Sequence, residues 1–468
     1  MKKTLKRGGW TGMSDEQRKR SWPLKVGVSV VGLGVGVALM AWSAVAPANV
    51  APQRSTGEVF EVNVELNGVR LACPPGIIDP DSSSESGGTR TSNATDSSPM
   101  SGGGEVELVG SGDETGLVIS GAQSGDVAGM LVEGCMLPSR HLLAMPGSTV
   151  VGERSVLILS NPSPKSVESQ ISLYGALGPL LEAPLQEVVP ANSTTVVVPA
   201  IAAADQEVVA VEITSDGAGV AAWLQTSGLD GEVSQGVART PASAASTPQV
   251  IAGIDRASAE NLLIFNPGTN PVEAALTVLT EEGNEPLGGA ATTTIAGRSV
   301  STVSLASLPE GTKAIEVDAD DPIFAAATMV RVGKKHEDVT DATYFSRAYL
   351  TGATLATNVT LPTSEEVEQA AESIGAKVKD STVTFANPRR SAVSVTYGDE
   401  TVEVAGGSAV SVAAPQGSTP TPVSSTEPIA ITQMVVVDTD RGTLTVPIAL
   451  GGQGTASQQR FVTLFPTL

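Results

Sequence analysis

Two cysteines, two histidines and 50 carboxylates are the side chains from which this 468-residue chain would assemble most kinds of chemistry. Cys73 and Cys135 are an even pair, which in an oxidising compartment reads as one disulfide, the alternative being two free thiols. Closing a loop of that length restricts the unfolded chain by about 4 kcal/mol in the entropy model. His141 and His336 stand apart: neither sits in H-E-x-x-H, and no second histidine is near enough in sequence to complete a zinc set. The G-x-S-x-G elbow is missing, and no lysine beyond the apolar N-terminal run falls three residues after a serine, so the usual serine-nucleophile signatures are missing too. Asp318, Asp320 and Asp321, or Asp438 and Asp440, are dense enough to hold Ca²⁺, but they lack EF-hand spacing and read more plainly as solvated turn charges. No catalytic residue, metal or cofactor is assigned.

Aromatic residues make up 3% of the chain, so each one carries information. Trp223 is read as a core anchor rather than a carbohydrate platform. Tyr344, Phe345 and Tyr349 form the aromatic cluster, which serves either as a partner surface or as a strand packing inward. Three Asn-X-Ser/Thr triplets, at Asn93, Asn192 and Asn358, have the form of glycan acceptors, although Asn192 belongs to a tight turn.

The elements that would position these groups are short strands. Gly 49 and Pro 30 in the composition, with abundant Val, Ala, Thr and Leu, suit strands separated by turns. Three strands end in Asn-Pro, at Asn161-Pro162, Asn266-Pro267 and Asn387-Pro388, and the asparagines are spaced by 105 and 121 residues. These asparagines are read as structural turn residues, because Asn closes an Asx-turn and Pro ends strand pairing. Each Asn-Pro is followed by an alternating strand (Ile171 and Leu173, Leu276 and Val278, Val393 and Val395). Next comes a small-residue turn into a Val-rich strand, at 191–198, 296–303 and 405–412. Last is a turn into small apolar residues, at 219–222, 322–325 and 428–431. Recurrence of these markers in one order predicts an all-β fold of tandem immunoglobulin-like antiparallel β-sandwich units.

The expected divisions are a small β domain at 57–140, sandwich units at 141–250, 251–360 and 379–468, and a linker helix at 361–378. Within the first of these, the Ser- and Gly-rich stretch 79–104 reads as a disordered insertion. The helix is marked by Thr363 with Glu366 at capping-box spacing and by Val367, Ala370, Ala371 and Ile374 on one face, with Gly375 placed to end it.

Residues 26–46 form a 21-residue run without charge, long enough to cross a bilayer of about 30 Å as a helix. Residues 1–25 carry a net +6, which by the positive-inside rule keeps them cytoplasmic and places the rest outside. A cleaved signal peptide is the rival reading, since Ala44-Val45-Ala46 has cleavage character. The chain's net −22 then leaves −28 beyond residue 25, a surface that repels nucleic acid.

The basic tail, signal-anchor, cysteine pair, serine-rich insertion and Asn-Pro units together resemble a family of membrane-anchored exported proteins of actinobacteria, corynebacteria among them, that carry a domain of unknown function. The resemblance spans most of residues 20–468 and implies an envelope location without assigning an activity. The expected function is a non-enzymatic, membrane-anchored extracytoplasmic protein, an envelope scaffold or interaction module whose partner is an envelope protein or wall polymer. Two other classes stay open: a wall-modifying hydrolase or transferase whose carboxylates meet at one sandwich end, and a carbohydrate- or calcium-dependent binding module.

Overall fold

A computed structural model describes residues 69–449, apart from 80–87, 92–95, 110–116, 123–126, 338, 340–341 and 354. The basic tail 1–25 and the apolar run 26–46 lie outside the described residues. Among those described, no helix is long and apolar enough to cross a membrane.

The fold is all-β with antiparallel strand pairing throughout its sheets, and the repeat markers fall on strands. In the first unit one sheet runs His141–Gly147, Val209–Ser215, Val167–Gly175, and Leu185–Val189 pairs with the last of these. Its companion sheet runs Ser193–Val197, Glu153–Asn161, Ala221–Asp230, Val233–Pro241. The second unit repeats this plan with Gln249–Ala252, Ala314–Ala319 and Val272–Leu279 in one sheet, and Ser299–Ser304, Ala259–Asn266, Phe324–Lys335 and Thr343–Thr351 in the other. In the third unit the strand Thr421–Thr439 serves both layers. Its first half pairs with Ala356–Leu361 and Val393–Tyr397, and its second half with Lys377–Asn387 and Gly442–Ala449.

Three expectations change. Residues 356–361, grouped by pattern with the second unit, pair with the third unit. The helix Ser364–Ser373 has the expected capping box, with the Glu366 N–H donating to Thr363 Oγ1 at 3.1 Å and the Thr363 N–H to Glu366 Oε2 at 3.0 Å. It does not act as a spacer, however. Val367, Ala370 and Ala371 are buried in a core shared by Val383 and Phe385 of the third unit and by Leu117 and Ile119 of the N-terminal unit. The stretch 79–104 also departs from disorder where it is described. Gly88–Thr91 pairs with Leu117–Ala122, and Asp96–Pro99 pairs with Glu105–Val109. A backbone can complete a sheet edge whatever its side chains, so low hydrophobicity does not forbid such a strand.

The units are not separate beads. Strands such as Glu153–Asn161 are buried on both faces, and apolar parts of the outer face of one unit pack on the next. Met145 and Tyr174 of the first unit meet Phe265 and Phe324 of the second. Val250 and Ala314 of the second meet Ala386, Ala409 and Ala430 of the third. The third meets the N-terminal unit through the shared core around the helix. Ala72 and Val106 of that unit return to Ile158 and Trp223 of the first, which closes the circuit. Trp223 is fully buried there, as a core anchor.

Four hairpins send their second strands to the middle of this circuit: Gly129–Gly134, Val233–Pro241, Thr343–Thr351 and Gly442–Ala449. Gly236 shows how near they come. At φ +80°, a Cβ there would sit 3.0 Å from the Phe345 carbonyl oxygen and 3.1 Å from the Arg347 nitrogen. Gly231, in the turn just before, has φ +60° and nothing within 4 Å of its Cβ position. Gly231→Ala should therefore cost only the left-handed strain, about 1 kcal/mol. Gly236→Ala adds overpacking against backbone and should cost about 2 to 4 kcal/mol. Denaturant melts of the two variants measure the difference, and equal losses would mean that the central approach is not a tight one.

Candidate functional site

Because the four central strands come from four units, the side chains at the middle of the molecule are partners that lie far apart in sequence. Arg239 and Glu133, 106 residues apart, form a buried ion pair with Arg239 Nη1 to Glu133 Oε2 at 2.7 Å. The same guanidinium donates to the carbonyls of Pro75 at 3.0 Å and Gly76 at 2.8 Å, and to Gln225 Oε1 at 2.6 Å. Burial pushes the Glu133 carboxyl above its ordinary range, and Arg239 pulls it partly back. Arg347 and Glu153, 194 residues apart, form a two-pronged pair at 2.6 and 2.9 Å, and Arg347 Nε donates to the Gln235 carbonyl at 2.9 Å. Burial holds the neighbouring Tyr349 phenol above its usual range, hence neutral.

Two cavities lie between the central strands. One, of 20 Å³, is lined by Glu133, Arg239, Arg347, Tyr349 and Thr445. Glu133 Oε1 and Thr445 Oγ1 are buried there without a protein hydrogen-bond partner. The other, of 30 Å³, opens among Gly129, Gly236, Tyr344, Phe345 and Arg441. Spaces of this size admit one or two water molecules rather than an organic substrate. The middle of the molecule is thus filled with strands and ion pairs.

The expected aromatic surface is divided. Tyr344 is half-buried, with the Arg441 guanidinium 5.0 Å from its ring centroid and the His336 ring at 5.0 Å. Phe345 and Tyr349 point to the opposite face of their strand and turn inward, because neighbours in a strand alternate. They form no single exposed platform. His141 Nε2–H donates to Glu212 Oε1 at 2.8 Å, and the other carboxylate oxygen of Glu212 accepts from the Tyr174 hydroxyl at 2.7 Å. Burial and Glu212 together push that phenol up to about 12. Among the described residues, Cys73, Glu107 and Cys135 are the trio close enough to hold a metal. The two sulfurs are joined in a disulfide, and Cys73 Sγ lies 3.3 Å from Glu107 Oε2.

The repeated asparagines share one buried geometry. Asn161 donates to the carbonyls of Lys165, Val189 and Pro190 and accepts from the Ser163 N–H. Asn266 does the same with Asn270, Ile295, Ala296 and Gly268, and Asn387 with Ser391, Val404, Ala405 and Arg389. In each case the asparagine ends a strand of one sheet and bonds a strand end of the companion sheet. These residues therefore pin two layers as well as shaping a turn. The two central ion pairs had no signal in the sequence, since nothing in a local window links residue 133 to 239 or 153 to 347.

The class defined by this arrangement is an all-β, disulfide-containing protein of recurrent antiparallel sheets packed through both faces. The chain belongs to DUF5719, a family of unknown function, which matches residues 110–415. No curated protein and no solved structure matches it.

Asn266→Ala leaves three carbonyls short of a donor and should cost about 3 kcal/mol in denaturant melts. Asn266→Asp sets a carboxylate against those carbonyls and should cost about 3 to 5 kcal/mol near neutral pH, less in acid where the carboxyl regains a donor. Losses below about 1 kcal/mol for both would show that the pin is dispensable. Glu316 lies on the outer face of the second unit, and burial together with Asp318 raises it from 4.5 to about 7. Its proton is held more tightly in the folded chain, so this stability is complete below pH 4.5 and is lost as pH rises through about 7. Glu316→Gln should flatten that window, gaining about 1 to 2 kcal/mol at alkaline pH after solvent screening, as read from melting temperature against pH.

Proposed function

We propose that this chain is a non-enzymatic extracytoplasmic scaffold, held at the cell membrane by residues 26–46 with its N-terminus in the cytoplasm, that positions an envelope protein or wall polymer. In this reading the outer part is a set of immunoglobulin-like sandwich units locked to one another. The observation that carries it is the filled centre: four strands from four units converge there, and the spaces between them are 20 and 30 Å³. A chain that joins its units so closely resists bending, which suits a spacer. The Cys73–Cys135 disulfide supports an oxidising location, and the net −28 beyond residue 25 supports partners that are neutral or basic.

The test uses the full chain in cells. Envelope fractionation with external protease should find the chain in the membrane fraction and cleaved only from outside. Crosslinking should then recover one envelope component repeatedly, and deletion should alter envelope integrity. Release of soluble fragments from wall polymer by the purified full chain, abolished by a single Asp or Glu substitution, would replace the scaffold reading with an enzymatic one.

A further inference from the structure

Among the described residues, seven large apolar side chains are left exposed, and five of them belong to the first unit: Val151, Leu177, Val188, Val196 and Ile201. Three are almost wholly in solvent, with Val151 at 101%, Leu177 at 104% and Ile201 at 86% exposure. Each stands on a different loop at the same end of the unit. Val151 is in the turn before the strand Glu153–Asn161, Leu177 is in the turn after Val167–Gly175, and Ile201 is in the short 3-10 turn Pro199–Ile201.

The loops are tied together, so the three side chains are presented by a built surface. The Thr149 N–H donates to the Gln206 carbonyl at 2.9 Å, and the Asp205 N–H to the Thr149 carbonyl at 3.1 Å. The Gln206 N–H donates to Thr149 Oγ1 at 3.0 Å. Gln206 Oε1 in turn lies beside Gly175. Leu180 and Ala202 reach inward from the same loops to the core of the unit. Apolar side chains on anchored loops lose little conformational freedom when covered, which favours binding.

The charge around them names the kind of partner. Between residues 166 and 238 the chain has nine carboxylates and no lysine or arginine; of these Glu168 and Asp216 lie at the opposite end of the unit, and Arg154 follows Val151 by three residues. Glu182, Asp205 and Glu207 are exposed on the loops themselves. Arg298 of the second unit, whose carbonyl is 3.8 Å from the Cβ position of Gly178, is a cation brought near by packing. An apolar centre within an acidic surround repels an anionic membrane and repels a second copy of itself, and it complements apolar side chains flanked by lysine or arginine.

We infer that the loop end of the first unit, centred on Val151, Leu177 and Ile201, is a docking surface for a basic amphipathic segment of a partner protein. This rests on the scaffold reading and supplies the chemistry of its partner.

The test uses detergent-solubilised full chain and a synthetic amphipathic Leu/Lys peptide of about 18 residues, roughly five helical turns, followed by fluorescence anisotropy. A Leu/Glu peptide and vesicles of neutral or anionic phospholipid serve as the other probes. The Leu/Lys peptide should bind, with affinity falling as salt rises from about 0.05 to about 0.5 M. The triple variant Val151→Ser, Leu177→Ser, Ile201→Ser should keep its melting temperature, because these side chains pack on nothing, and should bind the peptide at least about tenfold more weakly. Asp205→Asn with Glu207→Gln should weaken binding and flatten its salt dependence. Equal peptide affinity for wild type and triple variant would sink the inference, as would equal affinity for the Leu/Glu peptide. Vesicle binding lost in the triple variant would overturn it in favour of a lipid surface. The envelope assay described above does not depend on these three side chains. Its failure with intact peptide binding removes the scaffold reading alone, and the reverse removes this surface alone.

Discussion

Burial of both faces of every central sheet is the constraint on which the rest of the structure depends. The strand Glu153–Asn161 is buried at seven consecutive positions, Ser155 to Asn161. Leu157 and Leu159 face the companion sheet, while Ile158, beside Trp223 of its own sheet, faces Ala72 and Val106 of the N-terminal unit. The same holds for Leu262 and Ile264 against Phe265. A two-layer sandwich leaves the outer face of each sheet to solvent; where that face is apolar, as along Glu153–Asn161, it needs a neighbour. Four units therefore meet in a closed circuit, since an open row would leave two such faces in water.

Polar groups enter this arrangement where the layers must be held in register. Each of Asn161, Asn266 and Asn387 is fully buried, and each uses one amide to satisfy three carbonyls of its own turn and of the companion sheet. An apolar residue would leave those carbonyls unpaired, and a carboxylate would repel them. The central ion pairs do comparable work between units. Arg239 joins the first unit to Glu133, Pro75 and Gly76 of the N-terminal unit, and Arg347 joins the second unit to Glu153 of the first. Removing one partner of such a buried pair leaves an uncompensated charge, at a cost of about 3 to 5 kcal/mol.

The N-terminal unit carries the disulfide and closes the circuit. Cys73 and Cys135 join its two sheets next to Leu71 and Val118. One sheet packs on the first unit and the other on the third, so the bond ties together the two ends of the packed series.

The sequence by itself determined the local elements. Strand character, the Asn-Pro strand ends, the capping box at Thr363 and Glu366, and the pairing of two cysteines all depend on residues within a few positions of one another or on a count. Even the continuous apolar runs at 156–159 and 262–265 carried the sign of two-sided burial. Only the tertiary structure decided what covers each outer face, that 356–361 belongs with the third unit, that the helix seals a shared core, and that Glu133 finds Arg239. Tyr344, Phe345 and Tyr349 were legible as a cluster, yet the strand's alternation and its place at the centre turned them away from a common surface. The physical reason is that periodicity shows a face to be buried without naming its partner, because that choice rests on contacts among residues a hundred or more positions apart.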